Sequence, residues 1–233
     1  MHELDEFEDE QIARFREHPV LRRVDRLTDA EFHEVLLQRR FLSLAFTPAY
    51  DLAIDLLTDR QSLRVARAIL REEYPDEDGR TPSHREEMTE DILRLGVPRA
   101  ELVRSRPSPC TVETITRTLE LIATTGAGEC PDTGVVTILR FWGEVLVSVE
   151  YEQLWRRIGP LLGERSTFYL PHKVHDAKLR PLAEPSPLAS THSDQLGLRL
   201  WQWLDSPEAQ KVFRGTEESV VDVKSGFYDQ FRR

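Results

Sequence analysis

Apolar residues recur at a helical period of 3.6 along almost the whole chain, and no stretch alternates with period two. That pattern removes sheets from consideration and predicts an all-α fold, a compact bundle of roughly seven to nine helices. Local signals punctuate it. Thr28 is the expected N-cap of "DAEFHEVLLQRRFLSLAF", with Glu31 three residues on completing a capping box. Helices are expected over about 48–58 and 61–74, after which Pro75 and Gly79 end the run. Ser83 then caps "HREEMTEDILRLG", with Gly96 as its stop. Beyond the proline-marked link "RSRPSPC" come "TVETITRTLELIATT" and a long helix from about Asp132 to Ile158. "STFYLPHKVHDAKLRP" reads as helix or helix edge, "LAEPSPLAS" as a connection, and "THSDQLGLRLWQWL" and "SPEAQKVFRGTEESVVDVKSGFYDQF" as further helices. Residues 1–27 read as a partly flexible N-terminal extension to a helical domain over 28–233.

Composition narrows the function classes. With 233 residues, a net charge of -10 and no cluster of Lys and Arg, the chain is a poor match for nucleic-acid phosphates or an anionic membrane surface. The longest apolar candidate, "VVTILRFWGEVLVSV", is broken by Arg140 and Glu144, so no membrane span is expected. Cys110 and Cys130 are too few for a disulfide framework and form no CxxC pair. The N-terminal "MHELDEFEDEQ" lacks a basic and apolar succession, and the expected location is cytoplasmic.

Several charged residues sit where apolar ones are expected. Glu73 follows Ala66 by seven residues and Ile69 by four, so it continues their stripe inward; Glu77, in the following loop, is the rival carboxylate. Glu144 interrupts "VVTILRFWGEVLVSVEYEQLW", where an ionised carboxylate is expensive unless paired or metal-bound. Arg140, one turn earlier, offers a salt bridge as the plainer explanation, and Glu150 is the alternative carboxylate on that helix. His84 opens the helix after the acidic loop "EEYPDEDGRTPSH". "HKVHD" is the densest cluster: His172 and Asp176 lie four apart on one helical face, with His175 able to substitute in a shifted register. Carboxylates with imidazoles from separate helices suit iron or manganese better than zinc.

In this order and spacing the residues resemble the heme-oxygenase-like diiron oxidase and oxygenase family, related by fold to the TenA and PqqC proteins. The family pattern is a Glu, a loop, a His opening the next helix, a mid-bundle Glu, and then H-x3-D-x2-H. Here Glu73 or Glu77, His84, Glu144, His172 and Asp176 match it over roughly residues 28 to 228. The final histidine of the pattern falls on Leu179, and His175 or His192 is then its substitute. The resemblance implies one or two Fe(2+) per chain, with manganese as the other metal. It also implies O2 and a small organic metabolite as substrates, and a homodimer. Two alternatives stand beside that oxidase reading. One is a cofactor-free TenA- or PqqC-like enzyme, whose TenA-like version would need Cys110 or Cys130 as nucleophile; the other is a helical scaffold that has lost the metal centre. A heme site would instead call on His18 or His33.

Overall fold

The computed structural model describes residues 1–184, 186, 188 and 191–232, and among them every regular element is helical. In chain order these are α1 (His2–Arg16), α2 (Pro19–Arg22), α3 (Asp29–Leu44), α4 (Phe46–Leu56), α5 (Arg60–Glu72), α6 (His84–Arg94), α7 (Arg99–Arg104), α8 (Pro109–Gly126) and α9 (Pro131–Ile138). A π-helical turn over Leu139–Val145 joins α9 to α10 (Leu146–Leu162), and α11 (Tyr169–His175), α12 (His192–Trp201) and α13 (Pro207–Asp229) complete the chain. No helix among the described residues is long and apolar enough to cross a membrane.

The expected caps are present. The Thr28 and Ser83 side chains each accept from the backbone N–H three residues on, and Glu31 and Glu86 reach back to close capping boxes. The long helix expected over Asp132–Ile158 is the composite of α9, the π turn and α10. Every residue from 133 to 151 is buried, which is why this stretch is the most apolar of the chain and why Arg140, Glu144 and Glu150 stand out in it. Helix α13 packs along α9, α8 and α1; α4 packs on α8, α12 on the π turn and α11 on α10.

The N-terminal segment, expected as a partly flexible extension, packs onto the other helices. It forms α1, whose Leu4, Glu8, Ile12 and Phe15 are buried against α13 and α10. Its apolar residues Leu4, Phe7, Ile12 and Phe15 fall at i, i+3, i+8 and i+11, but the acidic residues between them mask the stripe at the level of composition. The expected helix edge over "STFYLPHKVHDAKLRP" also resolves: only Tyr169–His175 is helical, and the chain leaves the helix at Asp176. The connection "LAEPSPLAS" is described only in part, its Pro185 and Pro187 lying outside the described residues.

Candidate metal centre

The π turn is the first determinant of the site. Such turns widen the helix locally and recur at functional positions. This one carries Glu144, which is 2% exposed and faces inward. Gly143 beside it is needed for close approach: a Cβ there would meet Tyr50 Oη at 3.0 Å and Phe46 Cε2 at 3.4 Å. The Tyr50 hydroxyl occupies that space and donates to Glu144 Oε1 at 2.5 Å. Burial, and then the Glu144 charge, hold the Tyr50 phenol well above its usual pKa, so it stays a donor.

Arg140 is not the partner of Glu144. Its guanidinium forks onto Glu8 of α1, with Nη2 to Oε2 at 3.2 Å, and its Nε donates to the Ser193 carbonyl at 3.0 Å. Glu150 is likewise committed elsewhere, accepting from Arg39 Nε at 2.7 Å and from the Tyr228 hydroxyl. Glu144 is therefore the carboxylate of this helix left for a site.

Two groups of three donors form around it, the atoms of each lying within 4.8 Å of one another. One is Glu73, His84 and His172; the other is Glu144, Asp176 and His192. Glu73, at the C-terminal end of α5, sits 3.0 Å from His84 Nδ1. The rings of His84 and His172 are 4.5 Å apart between centroids. His172 Nδ1 donates to the Phe168 carbonyl at 2.7 Å, which fixes the tautomer and leaves Nε2 as a free lone pair, the arrangement usual for a ligating histidine. Burial, and then the neighbouring His84, push the His172 pKa down to about 3, so its ring is neutral.

In the second group His192 Nδ1 is 3.3 Å from Glu144 Oε2, while its Nε2 is 3.4 Å from Glu72. Burial works against a charge on His192, but Glu144 and Glu72 outweigh it and raise its pKa to about 10. Asp176 is 4% exposed, and burial followed by repulsion from Glu144 holds its carboxyl protonated far above the usual carboxylate range. A second positive charge is what such a pair of buried carboxylates lacks.

Fold and site are built by the same contacts. Buried Asp91 of α6 accepts from Ser166 Oγ at 2.7 Å and Phe168 N at 3.1 Å, tying the helix that begins with His84 to the start of α11, which carries His172. Beyond Asp176, α1 takes over. Asp5 accepts from Leu182 N at 2.5 Å and Ala183 N at 3.0 Å, and Glu8 binds Lys178 Nζ at 2.6 Å. Asp194 of α12 accepts from the Leu179 and Arg180 N–H groups, each at 3.3 Å, and Ser193 Oγ donates to the Ala177 carbonyl at 2.7 Å. With the helix ended at His175, position 179 has no angular relation to His172 and Asp176. Leu179 is 60% exposed, and His192, delivered by the start of α12, completes the second group.

The other proposed ligands stand apart. Glu77 is exposed in the loop after α5 and joins neither group. His175 borders the cavity next to the site but belongs to neither group. Cys110 donates to the Gly226 carbonyl at 3.4 Å, its thiol raised mainly by burial, and neither cysteine lines the cavity. His18 pairs with Asp229 and His33 with the Leu95 carbonyl, both away from it.

Both donor groups open into one cavity of about 590 Å³. Its walls are largely apolar, with Leu42, Phe46, Met88, Trp142, Val147 and Phe168 among them, and Arg39, Ser43, Tyr151 and Lys224 supply a polar stretch. Sequence reasoning missed Tyr50, Asp91, Glu8 and Lys224. Three of these were detectable by the test applied to Glu144: Glu8 lies between Leu4 and Ile12, Asp91 between Met88 and Leu95, and Lys224 between Val220 and Phe227, each on an apolar stripe. Tyr50 carried no such mark.

A crystal structure of a domain from Shewanella denitrificans, described as having unknown function and a heme oxygenase-like fold, superposes with a TM-score of 0.67 at 16% identity, covering 99% of this chain and 89% of that one. The chain has a heme-oxygenase-like fold. A CADD-like protein of unknown function from Nostoc punctiforme superposes with a TM-score of 0.68 at 12% identity, over 99% of this chain and 97% of that one. No family model and no curated protein matches the sequence.

Proposed function

We propose that this heme-oxygenase-like chain is a non-heme iron oxidase or oxygenase acting on O2 and a small organic molecule. Glu73, His84 and His172 would hold one ion, and Glu144, Asp176 and His192 the other. The observation that carries the reading is the pair of three-donor groups facing one cavity. The donor set supports it: six carboxylate and imidazole donors come from five helical segments, no thiolate takes part, and two buried carboxylates lie together, a combination suited to iron or manganese.

Iron supplies the one-electron chemistry that lets O2 react with an organic molecule, which side chains do not provide on their own. The chain's residues do the rest. His172 presents a neutral ring already fixed by the Phe168 carbonyl, and Tyr50 holds Glu144 in one orientation from the side opposite His192. The apolar walls keep bulk water from the reacting molecule, which strengthens every electrostatic contact inside.

Anaerobic titration of the metal-free protein with ferrous iron, followed by Mössbauer spectroscopy, tests the assignment. Two ions per chain with the signature of a coupled pair are expected. Substoichiometric or surface-type binding would sink the reading and leave a cofactor-free enzyme or a scaffold. Oxygen uptake by the loaded protein, stimulated by a substrate that is itself oxidised, separates an oxidase from a metal store.

A further inference from the structure

The polar wall of the cavity holds more positive charge than its own partners neutralise. Arg39 and Lys224 both face Glu150, so two cations share one carboxylate. The contacts divide unequally. Arg39 donates to Glu150 Oε1 at 2.7 Å and its Nη1 to Ser43 Oγ at 2.8 Å, and the Tyr228 hydroxyl takes Oε1 as well. Lys224 comes no nearer than 3.6 Å to Oε2, beyond hydrogen-bond reach, and Oε2 itself receives no hydrogen bond. Its one further partner is the face of Trp142, 5.8 Å from the ring centroid. Among the described residues no acceptor is within hydrogen-bond distance of this ammonium, although the side chain is 4% exposed and lines the cavity.

A buried ammonium with three donors and no acceptor is costly, and native interiors pair such groups. The missing partner has to come from the cavity. It must be an oxygen acceptor, and the surplus positive charge of the wall favours an anionic one. The rest of the lining, Leu42, Phe46, Met88, Trp142, Val147 and Phe168, asks for an apolar body.

We propose that Lys224 is the anion anchor of the cavity, and that the ligand is a small carboxylic acid with an otherwise apolar body. This rests on the cavity being the substrate site of the oxidase reading. The carboxylate would sit on the Lys224 ammonium, with Arg39 behind it as a second charge and Ser43 and Tyr151 as neighbouring hydroxyls. The apolar body would lie along the Phe46, Trp142 and Phe168 wall, toward the two donor groups that share the cavity.

The test uses octanoate, with octanol and octylamine as neutral and cationic counterparts of the same length. Binding is followed by calorimetry and by tryptophan fluorescence, to which Trp142 in the cavity wall contributes, on metal-free protein and on protein loaded anaerobically with ferrous iron. Octanoate is expected to bind best in both forms. Lys224→Met should lower its affinity roughly tenfold to a hundredfold while leaving octanol unchanged, and Lys224→Arg should keep most of it. Lys224→Met leaves Arg39 and Glu150 as a matched pair, so the variant is expected to fold, and its octanol binding confirms that the cavity persists.

An octanoate preference that survives Lys224→Met overturns the proposal, as does equal binding of octanoate and octanol. A preference seen only with iron bound also overturns it, since the metals would then be the anchor. A Lys224-dependent preference in a protein that takes up no iron would keep the anion site and remove the oxidase reading.

Discussion

Replacing Glu8 by Gln probes how far the proposed metal centre depends on the first helix. Glu8 is fully buried and faces two cations, Arg140 and Lys178, with Glu217 of α13 beside it. Burial raises its pKa, but Arg140 and Lys178 outweigh that and leave it ionised. Glu217 is the converse: burial and then the Glu8 charge keep it protonated, and neither of its oxygens has a hydrogen-bond partner. Removing one member of a buried ion pair costs about 3–5 kcal/mol, because the other charge is stranded. Here Glu217 is in place to ionise toward Arg140 once Glu8 is neutral. Glu8→Gln should therefore fall near the low end, about 3 kcal/mol, and Glu8→Gln with Glu217→Gln near the high end, about 5 kcal/mol. Urea unfolding at pH 7, followed by far-UV circular dichroism, measures both, with an unchanged m-value required for the comparison. The single change should also weaken the second ion selectively. Arg140 holds the carbonyl next to His192, and Lys178 lies two residues after Asp176, whereas Glu73, His84 and His172 have no contact with the cluster. A single-mutant cost below about 1 kcal/mol would refute the reasoning, since Glu217 taking the charge does not restore the Glu8 fork onto Arg140 or its contact with Lys178. So would a double mutant as stable as the single, which would show that Glu217 does not take over the charge.

Four further outcomes rest on the same geometry. His192→Ala should remove one ion per chain in an iron titration and leave the other, whereas Leu179→Ala, at an exposed position, should change stability by no more than about 0.5 kcal/mol and iron stoichiometry not at all. Binding at the second group should release protons, because His192, at about 10, and Asp176, held high, both carry one at pH 7. Its affinity should then climb as pH rises from about 7 to 9, and calorimetry in buffers of different ionisation enthalpy would expose a pH-independent ion as a contradiction. The same raised His192 stabilises the metal-free fold fully below its unfolded value of about 6.5, and that contribution is lost as pH rises toward about 10. Gly143→Ala should cost about 1–3 kcal/mol by crowding Tyr50 and Phe46, read as a lower urea midpoint; no loss would mean that Tyr50 can back away from Glu144 freely.

The all-helical fold and much of the site could be read from residues in advance, and the reasons differ from one residue to the next. Thr28 and Ser83 were legible because a capping box is a purely local signal. Glu144 was legible because nothing else in a run of buried residues is acidic until Glu150. The choice between Glu73 and Glu77 was not, since both neighbour the same turn and only the C-terminal end of α5 decides which one reaches His84. His192 in place of Leu179 was open for a different reason. It depends on contacts from Asp5, Glu8 and Asp194 that stop the α11 helix, and these residues are remote in sequence from "HKVHD". Helix α1 went unread as part of the core because a composition dominated by Asp and Glu looks like a solvated tail, although four of its residues anchor the bundle.

The wide turn at Leu139–Val145 makes residue count, as well as residue type, part of the design. In an ordinary α-helix each residue advances the direction of its side chain by about 100°. A π turn holds one residue more than the α-helix it interrupts, so deleting one residue here would let the helix close to regular winding with its two flanks still in line. The same deletion placed outside the turn, in α9 or α10, would swing one flank against the other by about 100°. The stretch that carries Glu144 is thus also the place on this helix where a change in length does not misalign the bundle.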